Sequence, residues 1–227
     1  MSLNADIAFY IDHTLLKPTA TPIEIQQLCR EAIQYQFHAV CVNGCYVALA
    51  RQQVANTPVQ VAAVVGFPLG GMATAAKIFE AQQCLQDGAS ELDLVLNLGW
   101  LKAGAFDAVA DEIRAVKQAM GDGLLKVILE TCYLTESEKR NACELAVAAG
   151  ADFVKTSTGF GTAGATVADV ALMKQVVGNR AQVKASGGIK DRATALRLIE
   201  AGATRLGTSS GVMLVTNGSA ADSGRSD

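Results

Sequence analysis

Short runs in which apolar and polar residues alternate recur along the chain, separated by longer stretches whose apolar residues fall at i, i+3 and i+4. The first pattern predicts strands and the second helices, and their regular alternation predicts parallel strands joined by crossover helices. Eight strands are expected, at 10–14, 39–43, 59–67, 91–97, 124–130, 153–157, 182–186 and 205–208. Helices are expected at 23–35, 74–86, 106–120, 136–148, 167–176 and 193–200, with a shorter one near 46–54. The junctions Asp87-Gly88-Ala89, Ala149-Gly150-Ala151 and Ala201-Gly202-Ala203 each precede a strand, and glycine there can end a helix in the left-handed conformation. They lie roughly two βα units of about 30 residues apart. Eight such units close a barrel, so the expected fold is α/β, a single-domain (β/α)8 TIM barrel over residues 1–215. Residues 216–227 are small and polar, cannot bury enough apolar area to offset chain entropy, and are expected to form a flexible tail.

The alternation also assigns faces. In 91–97, Leu92, Leu94 and Leu96 share one side, which should meet the helices, while Asp93, Val95 and Asn97 share the other. The same alternation turns Lys126, Glu130, Lys155 and Lys184 into the barrel lumen. Lysine and carboxylate side chains are seldom buried unless paired, and an unpaired buried charge shifts its pKa toward neutrality. An internal ion-pair network accounts for any one lumen lysine about as well as catalysis does.

Two features separate Lys155 from that alternative. It stands near the C-terminal end of a strand, where barrel active sites lie, and the glycine-containing loop Thr156-Ser157-Thr158-Gly159-Phe160-Gly161 follows at once. Lys184 holds the corresponding position one strand later. Like charges within about 4–6 Å disfavour protonation of either ammonium, so one of the two lysines can be neutral near pH 7. A neutral amine in a carbonyl-binding pocket is what imine formation requires. Asp93 can hold a water or hydroxyl for the accompanying proton transfers.

Loops after the last two strands, Ser186-Gly187-Gly188-Ile189 and Gly207-Thr208-Ser209-Ser210-Gly211, supply small residues and backbone N–H groups. Barrel phosphate sites recur at these two loops. One glycine loop alone would be an ordinary tight turn; two adjacent ones point to a phosphorylated small-molecule substrate carrying a carbonyl.

Composition narrows the field. The 227 residues are half hydrophobic, enough for one large core, and 19 basic against 22 acidic residues give a net charge of -3. No run of like charge would track nucleic acid or an anionic membrane, and no stretch of about 18 apolar residues would cross a bilayer. A soluble cytoplasmic protein is expected, with neither nucleic acid nor membrane as partner. The six cysteines include no CxxC pair and only His13 and His38 accompany them, so reduced core thiols are expected and no metal site. His13 follows Asp12 on one strand and should face the opposite side, as a hydrogen-bonded structural residue.

The segments Tyr10-Ile11-Asp12-His13-Thr14-Leu15-Leu16-Lys17-Pro18, Val65-Gly66-Phe67-Pro68-Leu69-Gly70, Glu91-Leu92-Asp93, Leu125-Lys126-Val127-Ile128-Leu129-Glu130-Thr131, Phe153-Val154-Lys155-Thr156-Ser157-Thr158-Gly159-Phe160 and Val183-Lys184-Ala185-Ser186-Gly187-Gly188-Ile189 resemble the deoxyribose-phosphate aldolases, a class I aldolase family. The resemblance runs over nearly the whole chain. It implies reversible cleavage of 2-deoxy-D-ribose 5-phosphate to D-glyceraldehyde 3-phosphate and acetaldehyde, in deoxynucleoside breakdown, with neither cofactor nor metal. By motif, Lys155 would form the imine, Lys184 would keep Lys155 partly deprotonated and join a proton relay, and Asp93 would activate the shuttling water. Gly159, Gly187, Gly188, Ser209 and Ser210 match the family's phosphate-contacting loops. Some members carry a lysine after Ser-Thr-Gly where this chain has Phe160, which shifts the expected phosphate contacts toward backbone N–H groups. Some end in a tyrosine that reaches the site, and none ends this chain. The family commonly forms dimers, and a homodimer is the assembly the resemblance implies.

Three other readings share parts of this pattern. A transaldolase-like enzyme would use the same nucleophile on a ketose donor. A phosphate-binding barrel isomerase would rely on carboxylates and leave the paired lysines surplus, as would a catalytically silent phosphate-binding barrel.

Overall fold

Strands β1 (Ile11–Leu15), β2 (Ala39–Val42), β3 (Gln60–Val65), β4 (Glu91–Val95), β5 (Leu124–Ile128), β6 (Phe153–Lys155), β7 (Gln182–Ser186) and β8 (Arg205–Thr208) pair in chain order. All pairs are parallel, and β1 closes the barrel on β8 through Ile11–Leu206, Asp12–Gly207 and His13–Thr208. This computed structural model describes residues 7–216; the tail expected from 216 onward lies, apart from Thr216, outside them.

The crossover helices are α1 (Pro22–Gln34), α2 (Val47–Gln53), α3 (Thr74–Gln86), α5 (Phe106–Met120), α6 (Glu136–Ala148), α7 (Val167–Val177) and α8 (Arg192–Glu200). Two short helices, α4 (Leu98–Lys102) and α9 (Gly211–Thr216), had no counterpart in the sequence pattern. Helix starts follow side-chain chemistry. Thr21 and Thr135 form capping boxes with Glu24 and Glu138, and Asp191 accepts from the Thr194 amide at 2.8 Å. The three glycine junctions end α3, α6 and α8 as anticipated. Gly88, Gly150 and Gly202 have φ of 105°, 92° and 112°, and the next amide returns to a carbonyl five residues back, as in Ala203 to Leu198 at 3.0 Å.

The main core lies between sheet and helices. It takes Leu92 and Leu94, which the alternation assigned to the helix-facing side, together with Val40, Val42, Leu125, Val127, Val154 and Val183. A small separate apolar cluster of Leu16, Cys41, Ala62 and Val64 lies on the lumen side, where Asp12, Glu91, Asp93, Lys126, Lys155, Lys184 and Arg205 are also buried. A buried ion pair between Lys77 of α3 and Glu112 of α5, at 2.6 Å, braces the outside of β4, because Lys77 Nζ also donates to the Val95 carbonyl at 2.9 Å.

Several strands stop earlier than expected, and the reason is local. Asn97 does not extend the lumen face of β4; its side chain accepts from the Trp100 amide at 3.1 Å and starts α4. Glu130 lies two residues past the end of β5 with φ 52°, so it leaves the strand alternation that placed it in the lumen. Cys29, Cys41, Cys84 and Cys143 are core thiols as expected, whereas Cys45 is exposed and Cys132 partly so, because both fall in short helical turns after strands.

Candidate active site

Lys155 and Lys184 are register partners on β6 and β7, and both side chains enter the lumen. Asp93 on β4 stands between them and accepts from Lys155 Nζ at 2.7 Å and from Lys184 Nζ at 2.8 Å on one carboxylate oxygen. Its other oxygen accepts from Lys126 at 2.8 Å. The three residues expected to act together are therefore in direct contact, and Asp93 is their common partner.

The two lysines do not have equal surroundings. Burial works against the charge on Lys184, yet Asp12, which it contacts closely, and Asp93 more than offset this, so its pKa is raised and it stays an ammonium. Lys155 has one carboxylate. Burial lowers its pKa, Asp93 opposes that, and the neighbouring Lys184 adds to the lowering. Burial would push the Asp93 carboxyl up, but Lys126, Lys155 and Lys184 together hold it well below the usual range. The arrangement thus supplies one lysine whose charge is favoured, one lysine biased toward the free amine, and an acceptor between them whose ionised form is favoured.

Above this group opens a cavity of about 230 Å³ at the C-terminal ends of the strands. Of Lys155, Lys184 and Asp93, only Lys155 lines it. Its lining also includes Gly159, Gly187, Gly188, Ser209 and Ser210, all five of the residues expected to contact phosphate. The loops carrying them are tied to one another. Thr156 Oγ1 donates to the Ser186 carbonyl at 3.2 Å, and Ser186 Oγ donates to the Ser157 carbonyl at 2.6 Å. Ala165 N–H reaches the carbonyls of Ser186 and Gly187 at 3.1 Å. A Cβ on Gly164 would lie 2.1 Å from the Gly187 oxygen, so only glycine permits this approach. The Ser210 amide is already engaged by Thr208 Oγ1 at 2.9 Å, which leaves fewer backbone donors than the loop sequence implies.

Other expected residues fall elsewhere. Lys126 is part of the lumen network, pairing with Glu91 at 2.6 Å as well as with Asp93. Glu130 sits beside the cavity wall and fixes the loop after β6, accepting from the Thr158 amide at 3.2 Å and from the Thr158 hydroxyl. Phe160 lines the cavity and packs edge to face on Phe67 with ring centroids 5.4 Å apart. His13 points outward, pairs with Glu31 at 2.6 Å and meets the edge of Phe37, the structural role expected of it.

Sequence reasoning missed Asp12, the second carboxylate on Lys184, although the outward assignment of His13 already implied it. It also missed Arg205, which bonds Asp12 at 2.8 Å, and Lys17 and Lys190, exposed cations on the cavity rim. Lys190 directly follows the Ser-Gly-Gly-Ile motif. No group of three or more histidine, cysteine or acidic residues disposed to hold a metal occurs among the described residues.

A family model described as DeoC/LacD family aldolase matches residues 7–217. A protein of Thermococcus gammatolerans named deoxyribose-phosphate aldolase is 59% identical over 214 residues, covering 92% of this chain and 95% of that one. A protein of the same name from Carboxydothermus hydrogenoformans is 55% identical over 219 residues, covering 95% of this chain and 96% of its own. Among solved structures, the deoxyribose phosphate aldolase of Aeropyrum pernix, described as tetrameric, superposes with a TM-score of 0.89 at 34% identity, covering 96% of this chain and 93% of that one. An aldolase called QR15 gives 0.92 at 42% identity, with 96% and 97% covered. On the extent of these matches and the barrel they share, the chain belongs to the DeoC/LacD family of aldolases.

Proposed function

We propose that this aldolase reversibly cleaves 2-deoxy-D-ribose 5-phosphate into D-glyceraldehyde 3-phosphate and acetaldehyde through an imine on Lys155. The observation that carries the reading is the asymmetry of the lysine pair. Lys155 alone reaches the cavity and is biased toward the free amine, while Lys184 behind it keeps its proton. The names of the relatives supply the substrate, and the loops that line the same cavity as Lys155 supply small residues for its phosphate, with Lys17 and Lys190 also in the lining.

Lys155 Nζ attacks C1 of the open-chain sugar, and loss of water from the carbinolamine gives a protonated imine. A base takes the proton of the C3 hydroxyl, the C2–C3 bond breaks, and its electron pair moves into the imine to leave an enamine. Glyceraldehyde 3-phosphate departs. Protonation of the enamine at C2 and hydrolysis of the resulting imine return Lys155 and release acetaldehyde. In this scheme Asp93 holds the shuttling water and Lys184 supplies the positive charge and a donor beside it. The scheme requires no metal and no cofactor. The same reading has residues 1–215 working as one catalytic barrel in the cytoplasm, in deoxynucleoside breakdown, as an oligomer of identical chains for which the dimer is the first expectation.

Borohydride treatment with acetaldehyde, followed by peptide mass mapping, tests the proposal. A reduced two-carbon adduct on Lys155, formed equally in EDTA, is expected. An unmodified Lys155, or activity abolished by the chelator, would overturn it. Lys184→Leu should sharply reduce turnover in a folded protein, and near-normal rates would remove Lys184 from the scheme.

A further inference from the structure

The charged side chains of the lumen form a closed ring. Glu91 pairs with Lys126 at 2.6 Å, Lys126 with Asp93 at 2.8 Å, Asp93 with Lys184 at 2.8 Å and Lys184 with Asp12. Asp12 pairs with Arg205 at 2.8 Å, and Arg205 returns to Glu91 at 3.0 Å. Lys155 hangs from this ring at Asp93, 2.7 Å away, on the cavity side. On the opposite side His38, just before β2, approaches Glu91 at 3.4 Å with about a third of its side chain exposed.

Within the ring three carboxylates, Asp12, Glu91 and Asp93, face three cations, Lys126, Lys184 and Arg205. These six charges cancel. A protonated Lys155 therefore brings an uncompensated positive charge into a site where water cannot screen it. The remaining lumen positions add none. β2 contributes Cys41, whose thiol is pushed up by burial and stays neutral, and β3 contributes Ala62 and Val64. Besides Lys155, His38 is the one titratable group outside the ring, among the described residues, that an ion pair joins to it.

We propose that Glu91 and Arg205, neither of which lines the substrate cavity, are positioning residues that set the protonation of Lys155 through the charge balance of this ring. Glu91 holds Lys126 and Arg205 in place, and each of these holds one of the carboxylates that Lys184 shares. Removing the Glu91 charge leaves the ring net positive and favours the free amine. Removing the Arg205 charge leaves it net negative and favours the ammonium. A purely structural role predicts no such opposition of sign. The catalytic consequence rests on the reading of Lys155 as the nucleophile, but the proton itself is measurable without it.

The test titrates Lys155 by reductive methylation with formaldehyde and cyanoborohydride across pH, quantified on the peptide that carries it. Glu91→Gln should move the midpoint down, and Arg205→Gln up, each by about one pH unit, a tenfold change in the neutral fraction. Arg205→Lys, which keeps the charge, should restore the original midpoint, and the double Gln variant should return close to it. Midpoints that do not move, or that move in the same direction, would overturn the proposal. If Glu91→Gln does not fold, Arg205→Gln against Arg205→Lys decides: a raised midpoint only in the former supports it, and equal midpoints overturn it. Failure of the nucleophile reading shows separately, as the absence of the acetaldehyde–borohydride adduct on Lys155 in the unaltered enzyme.

Discussion

Replacing Asp93 by asparagine keeps the side-chain volume and removes the charge on which three lysines converge. Asp93 is fully buried, with Lys126 at 2.8 Å on one oxygen and Lys155 and Lys184 at 2.7 and 2.8 Å on the other. Asparagine offers one oxygen, and its amide N–H groups would face ammonium donors. Breaking one side of a buried ion pair costs about 3–5 kcal/mol. With an m-value of about 2–3 kcal/mol per molar urea, the unfolding midpoint should fall by about 1–2.5 M. Lys155 can relieve part of that cost by giving up its proton, so the smaller end of the range is expected at high pH and the larger end at low pH. Loss of a positioned proton acceptor should also reduce turnover by about 10²–10⁴-fold. Urea titrations followed by circular dichroism at two pH values, with single-turnover cleavage rates, measure both effects. An unchanged midpoint together with a rate within about threefold of the original would refute the assignment of Asp93 as the shared partner.

Gly164→Ala should force apart the loops after β6 and β7, since its Cβ would meet the Gly187 oxygen at 2.1 Å. KM for the phosphorylated sugar should rise about tenfold, equivalent to roughly 1.4 kcal/mol, while the acetaldehyde adduct on Lys155 still forms; an unchanged KM would separate these loops from phosphate binding. The carboxyls of Asp12, Glu91 and Asp93 have lowered pKa values in the fold, so their stabilisation is present above about pH 4 and lost as pH falls below it. The urea midpoint should be lower at pH 3 than at pH 7, and equal midpoints would contradict the ring. Lys184, with a raised pKa, contributes stability below about pH 10.4 that is lost as pH rises through its folded value, which a titration above pH 11 would reveal. Iodoacetamide should label exposed Cys45 in the native protein. Cys29, Cys84 and Cys143, whose thiols burial pushes up to about 11, 12 and 12, should react only after unfolding.

The barrel was legible because alternation and glycine junctions are local signals, and the inward direction of Asp93, Lys126, Lys155 and Lys184 followed from period-two geometry alone. Strand ends were less legible, since a side chain that turns to cap a helix, as Asn97 does, looks in sequence like one more residue of the strand. Glu130 shows the same limit: one left-handed residue redirects it from the lumen to Thr158. The partners of the lysines were the least legible. Asp12 and Arg205 are 193 residues apart in sequence and meet only because β1 closes on β8, a fact of the whole sheet. The balance that leaves Lys155 as the odd charge depends on that closure.

Barrel closure also gives the site an order of assembly during synthesis. A growing chain that has completed β6 already holds Asp93, Lys126 and Lys155, but Lys184 and Arg205 have yet to emerge, and Asp12 has neither of its cations. Until β7 docks, Lys155 lacks the neighbouring ammonium of Lys184 that helps lower its pKa. The last two strands to appear are the ones that complete the charge balance around Lys155.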